Sequence, residues 1–169
     1  MTSSGHRCDR PARIVDAARV ADLARQAAES PRLRSRLLLH ASHADAVQRL
    51  VIMAEPGTYM RPHRHLEQWE LITLVQGRAA LLLFGPEGRV AERIDLGADA
   101  ARAVEIPPGA VHAAVVLERG TLLLEVKPGP YRPNEFVDWA PAEGEPAAPE
   151  FAAWASGADV GEAAPGSWR

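Results

Sequence analysis

The feature that most constrains this chain is a spacing. Within the stretch Gly57–Gly77, GTYMRPHRHLEQWELITLVQG, His63 and His65 stand two residues apart and Glu70 follows; later, PPGAVH places His112 just behind a Pro-Pro-Gly turn. Imidazole nitrogens combined with one carboxylate oxygen suit Zn, Fe, Ni, Mn or Co better than Mg or Ca, which prefer all-oxygen shells. The four residues therefore read as ligands of one divalent transition metal ion. Ligands so far apart along the chain converge only if strands hold them in register.

Alternation along a strand sends His63 and His65 to one side. Glu70 lies an odd number of residues beyond His65 and would point away on one straight strand, so a turn or bulge is expected at Leu66–Trp69, with Glu70 opening the strand Leu71–Val75. Gly77 ends that strand. His112 stands at the entrance of Ala113–Leu117, from where a neighbouring strand delivers a fourth ligand. Glu67 is a competing carboxylate that the turn leaves in solvent.

The rest of the chain supplies strands. Asp16–Glu29 has helical propensity, with Val20, Leu23, Ala24 and Ala27 on one narrow face, and Ser30-Pro31 stops it. The narrow face predicts a helix lying on the sheets and not inside them. Leu37–His40, Ala46–Ala54, Arg78–Phe84, Val90–Leu96, Val104–Ile106, Ala113–Leu117 and Thr121–Val126 are short apolar or alternating runs separated by Gly and Pro turns. This pattern indicates an all-β sandwich or barrel. Beyond Lys127 a proline-rich segment carries Tyr131, Phe136 and Trp139, three aromatics that would strap it to the surface. Phe151–Trp154 reads as one helical turn and residues 155–169 as a frayed tail.

Composition removes alternatives. At 169 residues the chain fills one core but not two. Residues 1–65 carry 11 arginines against six acidic residues, and residues 66–169 carry eight basic against 16 acidic. The basic half is scattered through a helical pattern without interleaved aromatics, so no nucleic-acid partner is expected. Cys8, the single cysteine, cannot form an internal disulfide, and the first residues lack a secretory apolar run. No run is long enough to span a bilayer. The expectation is a soluble cytoplasmic protein that meets a small molecule and neither nucleic acid nor membrane.

Two motifs carry a family resemblance. Gly57-x5-His63-x-His65-x4-Glu70-x6-Gly77 resembles the first cupin motif in full, and Pro107-x-Gly109-x2-His112 resembles the centre of the second, with Ala101 and Val116 departing from its usual glycine and asparagine. By position the cupin ligands map onto His63, His65, Glu70 and His112. The segments Ser30–His40, Pro56–His65, Glu125–Tyr131 and Asp138–Gly144 are similar to one subfamily, the WbuC-type cupin fold metalloproteins, over about residues 15 to 155. Leu38 stands where that subfamily carries an asparagine, which speaks against a pocket role for the position.

The resemblance implies a cupin jelly-roll β-barrel with an N-terminal amphipathic helix and a C-terminal proline-rich strap. Its parts are a disordered tail over 1–12, the helix and a lead-in strand over 13–44, the barrel over 45–127, the strap over 128–154 and a second disordered tail over 155–169. It also implies a homodimer and, in some relatives, a tie to polysaccharide or O-antigen sugar metabolism, with no settled reaction.

Three imidazoles and one carboxylate leave coordination positions open on a five- or six-coordinate ion. Tyr59 shares parity with His63 on an unbroken strand, so its phenol can donate to an oxyanion held at the metal; Pro62 interrupts that parity and favours ordinary packing. Lys127, the one lysine among 19 basic residues, can bind an acidic substrate, with Arg49 and Arg61 as further candidates that otherwise read as surface arginines. Two function classes remain. The first is a metal-dependent enzyme on a small oxygen-rich metabolite, a sugar derivative or keto acid, of isomerase or dioxygenase type. The second is a non-catalytic metal and small-molecule binding or accessory protein; a purely structural ion is the plainest variant.

Overall fold

The computed structural model describes residues 12–165; Cys8 and the rest of the expected first tail up to residue 11, and residues 166–169, lie outside the described residues. Helix α1 (Ala17–Glu29) starts where the Asp16 carboxylate accepts the backbone N–H of Arg19 at 2.9 Å and stops at Ser30, before Pro31. The strands that follow are β1 (Arg34–Leu38), β2 (Val47–Ala54), β3 (His63–Arg64), β4 (Glu70–Gln76), β5 (Ala79–Phe84), β6 (Val90–Leu96), β7 (Ala103–Ile106), β8 (Val111–Val116), β9 (Thr121–Pro128) and β10 (Glu135–Phe136). Helix α2 (Ala148–Gly157) closes the series.

Among the described residues the strands form two antiparallel sheets of five, ordered β1-β2-β9-β4-β7 and β10-β3-β8-β5-β6. Alternation gives each sheet two apolar faces. Ile72, Leu74, Ile106 and Leu123 of the first sheet meet Ala79, Leu81 and Leu96 of the second, and this contact is the core between them. Val51, Met53 and Leu122 face the other way, where Leu23 and Ala27 of α1 cover them. The narrow stripe of α1 suffices because it covers only one face. Ser35 Oγ also donates to Leu23 O at 2.7 Å.

The outer face of the second sheet is covered by the chain's C-terminal part, and here the structure corrects two expectations. The single turn expected at Phe151–Trp154 is the middle of the longer α2, and residues 155–165 are no frayed tail: Ala155, Ala158 and Ala164 are buried. Val90 N–H donates to Glu162 O at 2.7 Å and Gly161 N–H to Val90 O at 2.8 Å. Alanines give no apolar periodicity to read, yet their small side chains let the segment lie close against Ala80, Leu82, Phe84 and Ala113, around a Phe151 that is 1 % exposed.

The strap differs from its expectation as well. Trp139 packs into this cluster, but Tyr131 and Phe136 stay exposed at 45 % and 52 %. Gly77, between β4 and β5, has φ +84° and sits so close to β9 that a Cβ there would stand 2.8 Å from Thr121 Cα, so glycine is required. No helix among the described residues is long and apolar enough to cross a membrane.

Candidate metal centre

The site forms where the two sheets face each other. His63 on β3 is paired with His112 on β8, so two of the expected ligands are direct cross-strand neighbours. After His65 the chain leaves the second sheet, turns through Leu66–Trp69 and enters the first sheet at Glu70. The parity mismatch is resolved by that crossing, because alternation applies only within one sheet. Gly109 N–H donates to His65 O at 2.7 Å, which ties the Pro-Pro-Gly turn to the ligand segment. Buried Gln68 holds the turn to the strap by donating to Pro128 O and, at 3.2 Å, to Pro130 O. Glu67 remains on the surface, paired with Arg132.

One donor atom from each of His63, His65, Glu70 and His112 lies within 4.8 Å of the others. Glu70 Oε2 is 2.9 Å from His112 Nε2 and 3.2 Å from His65 Nε2. Two donors about 2.1 Å from one ion, at angles of 90–109°, stand about 3.0–3.4 Å apart, so these separations fit a shared cation. The ring orientation fits too. His63 Nδ1 donates to Arg61 O at 2.9 Å and His112 Nδ1 to Ala110 O at 3.0 Å, which assigns the protons to Nδ1 and leaves both Nε2 lone pairs free, that of His112 facing Glu70. His112 thus has an oxygen at each nitrogen, and a neutral imidazole has one N–H. A cation between Nε2 and the carboxylate balances the second oxygen as a second proton would.

Electrostatics around the ligands point the same way. Burial, reinforced by the neighbouring His112, pushes His63 down to about 4, so its imidazole is neutral and its lone pair free at neutral pH. Burial acts to raise Glu70, but its close contacts with the His112 and His65 rings and the charge of Lys127 outweigh it and hold the carboxyl well below its ordinary value. Lys127 Nζ is 2.8 Å from Glu125 Oε1, 3.6 Å from Glu70 Oε1 and 3.5 Å from His65 Nε2. Burial opposes its charge, and the two glutamates more than offset that and raise it. Glu125 goes up to about 8, through burial and the nearby Glu70 charge, with Lys127 pulling the other way.

Three of the four residues, His63, Glu70 and His112, line a cavity of about 660 Å³. Glu70, Glu125 and Lys127 line one end, and Leu38, Leu50, Ile52 and Leu123 supply apolar wall, so Leu38 does face the pocket despite replacing the asparagine of the resemblance. Lys127 is therefore brought to the site, and Tyr59 is not. Tyr59 precedes β3, outside any strand, and its hydroxyl donates to Pro141 O at 2.7 Å while its ring packs 5.5 Å from that of Phe151. Arg49 is a surface residue near Asp45, at 3.5 Å, whereas Arg61 lines the cavity. Glu125 escaped the reading of the sequence. The signal was there: Glu125 and Lys127 are two apart on one apolar strand and so share a face.

Comparison with known proteins follows from this geometry. A cupin 2 domain-containing protein from Halorhodospira halophila superposes with a TM-score of 0.51 at 21 % identity, covering 62 % of this chain and 70 % of that one. DMSP lyase DddQ from Ruegeria pomeroyi gives 0.50 at 22 % identity, over 66 % of this chain and 54 % of that one. The chain has a cupin fold. KdgF from Halomonas sp. is also similar, with a TM-score of 0.48 at 22 % identity over 62 % of this chain and 85 % of that one. Residues 15–96 match a family described only as a domain of unknown function, DUF6016. No curated protein matches the chain. In this cupin fold, three imidazoles and a carboxylate on facing sheets can hold a metal beside a cavity that admits a small molecule.

Proposed function

We propose that this chain is a WbuC-type metallocupin in which His63, His65, Glu70 and His112 hold one divalent transition metal ion, and that it is an enzyme acting on a small oxygen-rich metabolite, a sugar derivative or keto acid. The observation that carries this reading is the convergence of four donor atoms within 4.8 Å at the edge of a 660 Å³ cavity. A closed structural site would not need that space. An ion bound there supplies Lewis acidity to a ligand oxygen, as in isomerases and dioxygenases.

The chain's own residues prepare the rest. The carbonyls of Arg61 and Ala110 fix the rings of His63 and His112, and the turn anchored by Gln68 sets the direction of Glu70. Lys127 directs one N–H at Glu125 and one toward Glu70, and the third, which lies 3.5 Å from His65 Nε2, becomes available to a ligand oxygen once that nitrogen is given to a metal ion. Tyr59 has no part in the chemistry, since its hydroxyl is engaged on Pro141. The segments similar to the WbuC type support extending the reading to a cytoplasmic homodimer connected with polysaccharide or O-antigen sugar metabolism.

Element analysis of the purified protein, anaerobic Fe(II) reconstitution and a screen of keto acids and sugar derivatives for oxygen uptake or isomer formation test this reading. One metal per chain, with turnover of one compound that vanishes in His63→Ala and His112→Ala, is the expected result. Ligand-induced thermal stabilisation with no product over hours would replace the enzyme by a binding protein. Absence of any bound transition metal after reconstitution would overturn both.

A further inference from the structure

Five basic side chains line the cavity, Arg32, Arg34, Arg36, Arg61 and Lys127, against three acidic ones, Glu70, Glu125 and Glu143. Arg32 and Arg34 share Glu143 at 2.5 and 2.6 Å, and Lys127 is held by Glu125 and Glu70. That leaves Arg36 and Arg61 with no carboxylate partner among the described residues. Nearby Arg64, which points to the surface, is paired with Glu135 at 3.1 Å. Among the described residues the cavity lining thus has two guanidiniums without a carboxylate partner, the exposed Arg36 and the half-buried Arg61.

Arg61 carries a second sign of an absent partner. Its guanidinium lies 5.1 Å from the centre of the Phe136 ring and donates through Nη2 to Val137 O at 2.8 Å, while its buried Nε has no hydrogen-bond partner. A buried donor left unpaired calls for an explanation. The two arginines come from different walls of one cavity. Arg34 Nη1 donates to Tyr59 O at 2.7 Å, so β1 and the segment entering β3 start side by side; Arg36 is two residues further along the first and Arg61 two residues further along the second. Apolar Leu38, Leu50 and Ile52 lie beside them, the kind of surface on which the C–H face of a sugar rests.

We propose that the ligand of this cavity carries an oxyanion, carboxylate or phosphate, held between Arg36 and Arg61, and that these two residues select an acidic sugar over its neutral counterpart. This deepens the proposed function and rests on the same cavity, with the anion held by the arginines and not by the metal ligands. A planar guanidinium matches either oxyanion in bidentate fashion, which the single lysine cannot do.

Calorimetry on the full chain tests it, in metal-free and metal-loaded protein, with glucuronate and inorganic phosphate as charged probes and glucose as the neutral one. In the metal-free protein, glucuronate or phosphate is expected to bind at least about tenfold tighter than glucose, to weaken about tenfold in Arg36→Met/Arg61→Met, and to weaken with added salt. Arg64→Met should change nothing. If the double variant does not fold, Arg36→Met alone, on the edge strand, must still weaken the charged probe about threefold. Equal binding of glucose and glucuronate, or of the charged probe by wild type and variant, overturns the proposal. Metal content measured on the same samples separates its failure from that of the metal reading, because anion binding by the arginines does not require the ion.

Discussion

At one end of the space between the sheets, Ile72, Leu74, Leu81, Leu96, Ile106 and Leu123 exclude water with nothing but hydrocarbon. At the other end β4 presents Glu70 and β9 presents Glu125 and Lys127, while β8 adds His112 and the neighbouring β3 adds His63. On β4 a single residue separates Glu70 from Ile72, and on β9 a single residue separates Leu123 from Glu125. The comparison teaches how the molecule divides its work: the hydrocarbon end stabilises the fold, which lets the other end hold buried charges that are costly in isolation. Changes at the two ends should therefore register in different measurements.

The largest effect is expected from His112→Ala. Removing one of four ligands should lower metal affinity by more than about 100-fold, since even the loss of an outer partner costs 10–100-fold, while circular dichroism keeps its strand signature. Chelator competition reads the affinity, and retained metal would break the comparison at its root. Next is Lys127→Met, which leaves Glu125 and Glu70 facing each other without a cation. Breaking a buried pair costs about 3–5 kcal/mol, here measured by urea unfolding of the metal-free protein. A bound ion should shrink the loss, and Glu125→Gln added to Lys127→Met should recover part of it.

At the hydrocarbon end, Leu81→Ala should cost about 2–5 kcal/mol and leave one metal per chain. A fall in metal stoichiometry together with stability would show that the two ends are not separate. The smallest effect concerns Glu143, whose carboxyl burial tends to raise but whose bonds to Arg32 and charge pairing with Arg34 hold it lower. A carboxyl with a depressed folded pKa adds stability that is present above its unfolded value of 4.5 and lost as the pH falls through the folded one. The advantage of wild type over Glu143→Gln should be below about 1 kcal/mol for so exposed a group. Melting temperatures should differ at pH 7 and converge below pH 4.5; an advantage that grows on acidification would contradict the assignment.

How legible all this was depended on the kind of signal each segment carries. Helix α1 and most strands could be read because apolar side chains recur at helical or alternate positions. Helix α2 could not, since alanines on every side leave no periodicity, and the docking of residues 155–165 is visible only beside the sheet they cover. A pocket role for Tyr59 required a strand unbroken through Pro62, which the described residues do not form, and the ring has instead the ordinary packing that Pro62 favoured. Among the aromatics of the strap, Trp139 packs into the core cluster, Tyr131 stacks on His43 while staying exposed, and Phe136 carries the guanidinium of Arg61.

Taken alone, the order of residues determined which side chains could serve as ligands, because the chemistry of imidazole and carboxylate and the spacing of two motifs are written in it. It also determined the two-faced strands from which this cupin fold is built. Tertiary structure alone decided that the chain crosses between sheets after His65, so that Glu70 faces the histidines, and that Glu125 joins Lys127 while Arg36 and Arg61 have no carboxylate partner among the described residues. The physical reason is range. Alternation and propensity act over a few residues, whereas the position of a charge relative to another depends on which strands become neighbours, and that is set by the burial of all the apolar faces together.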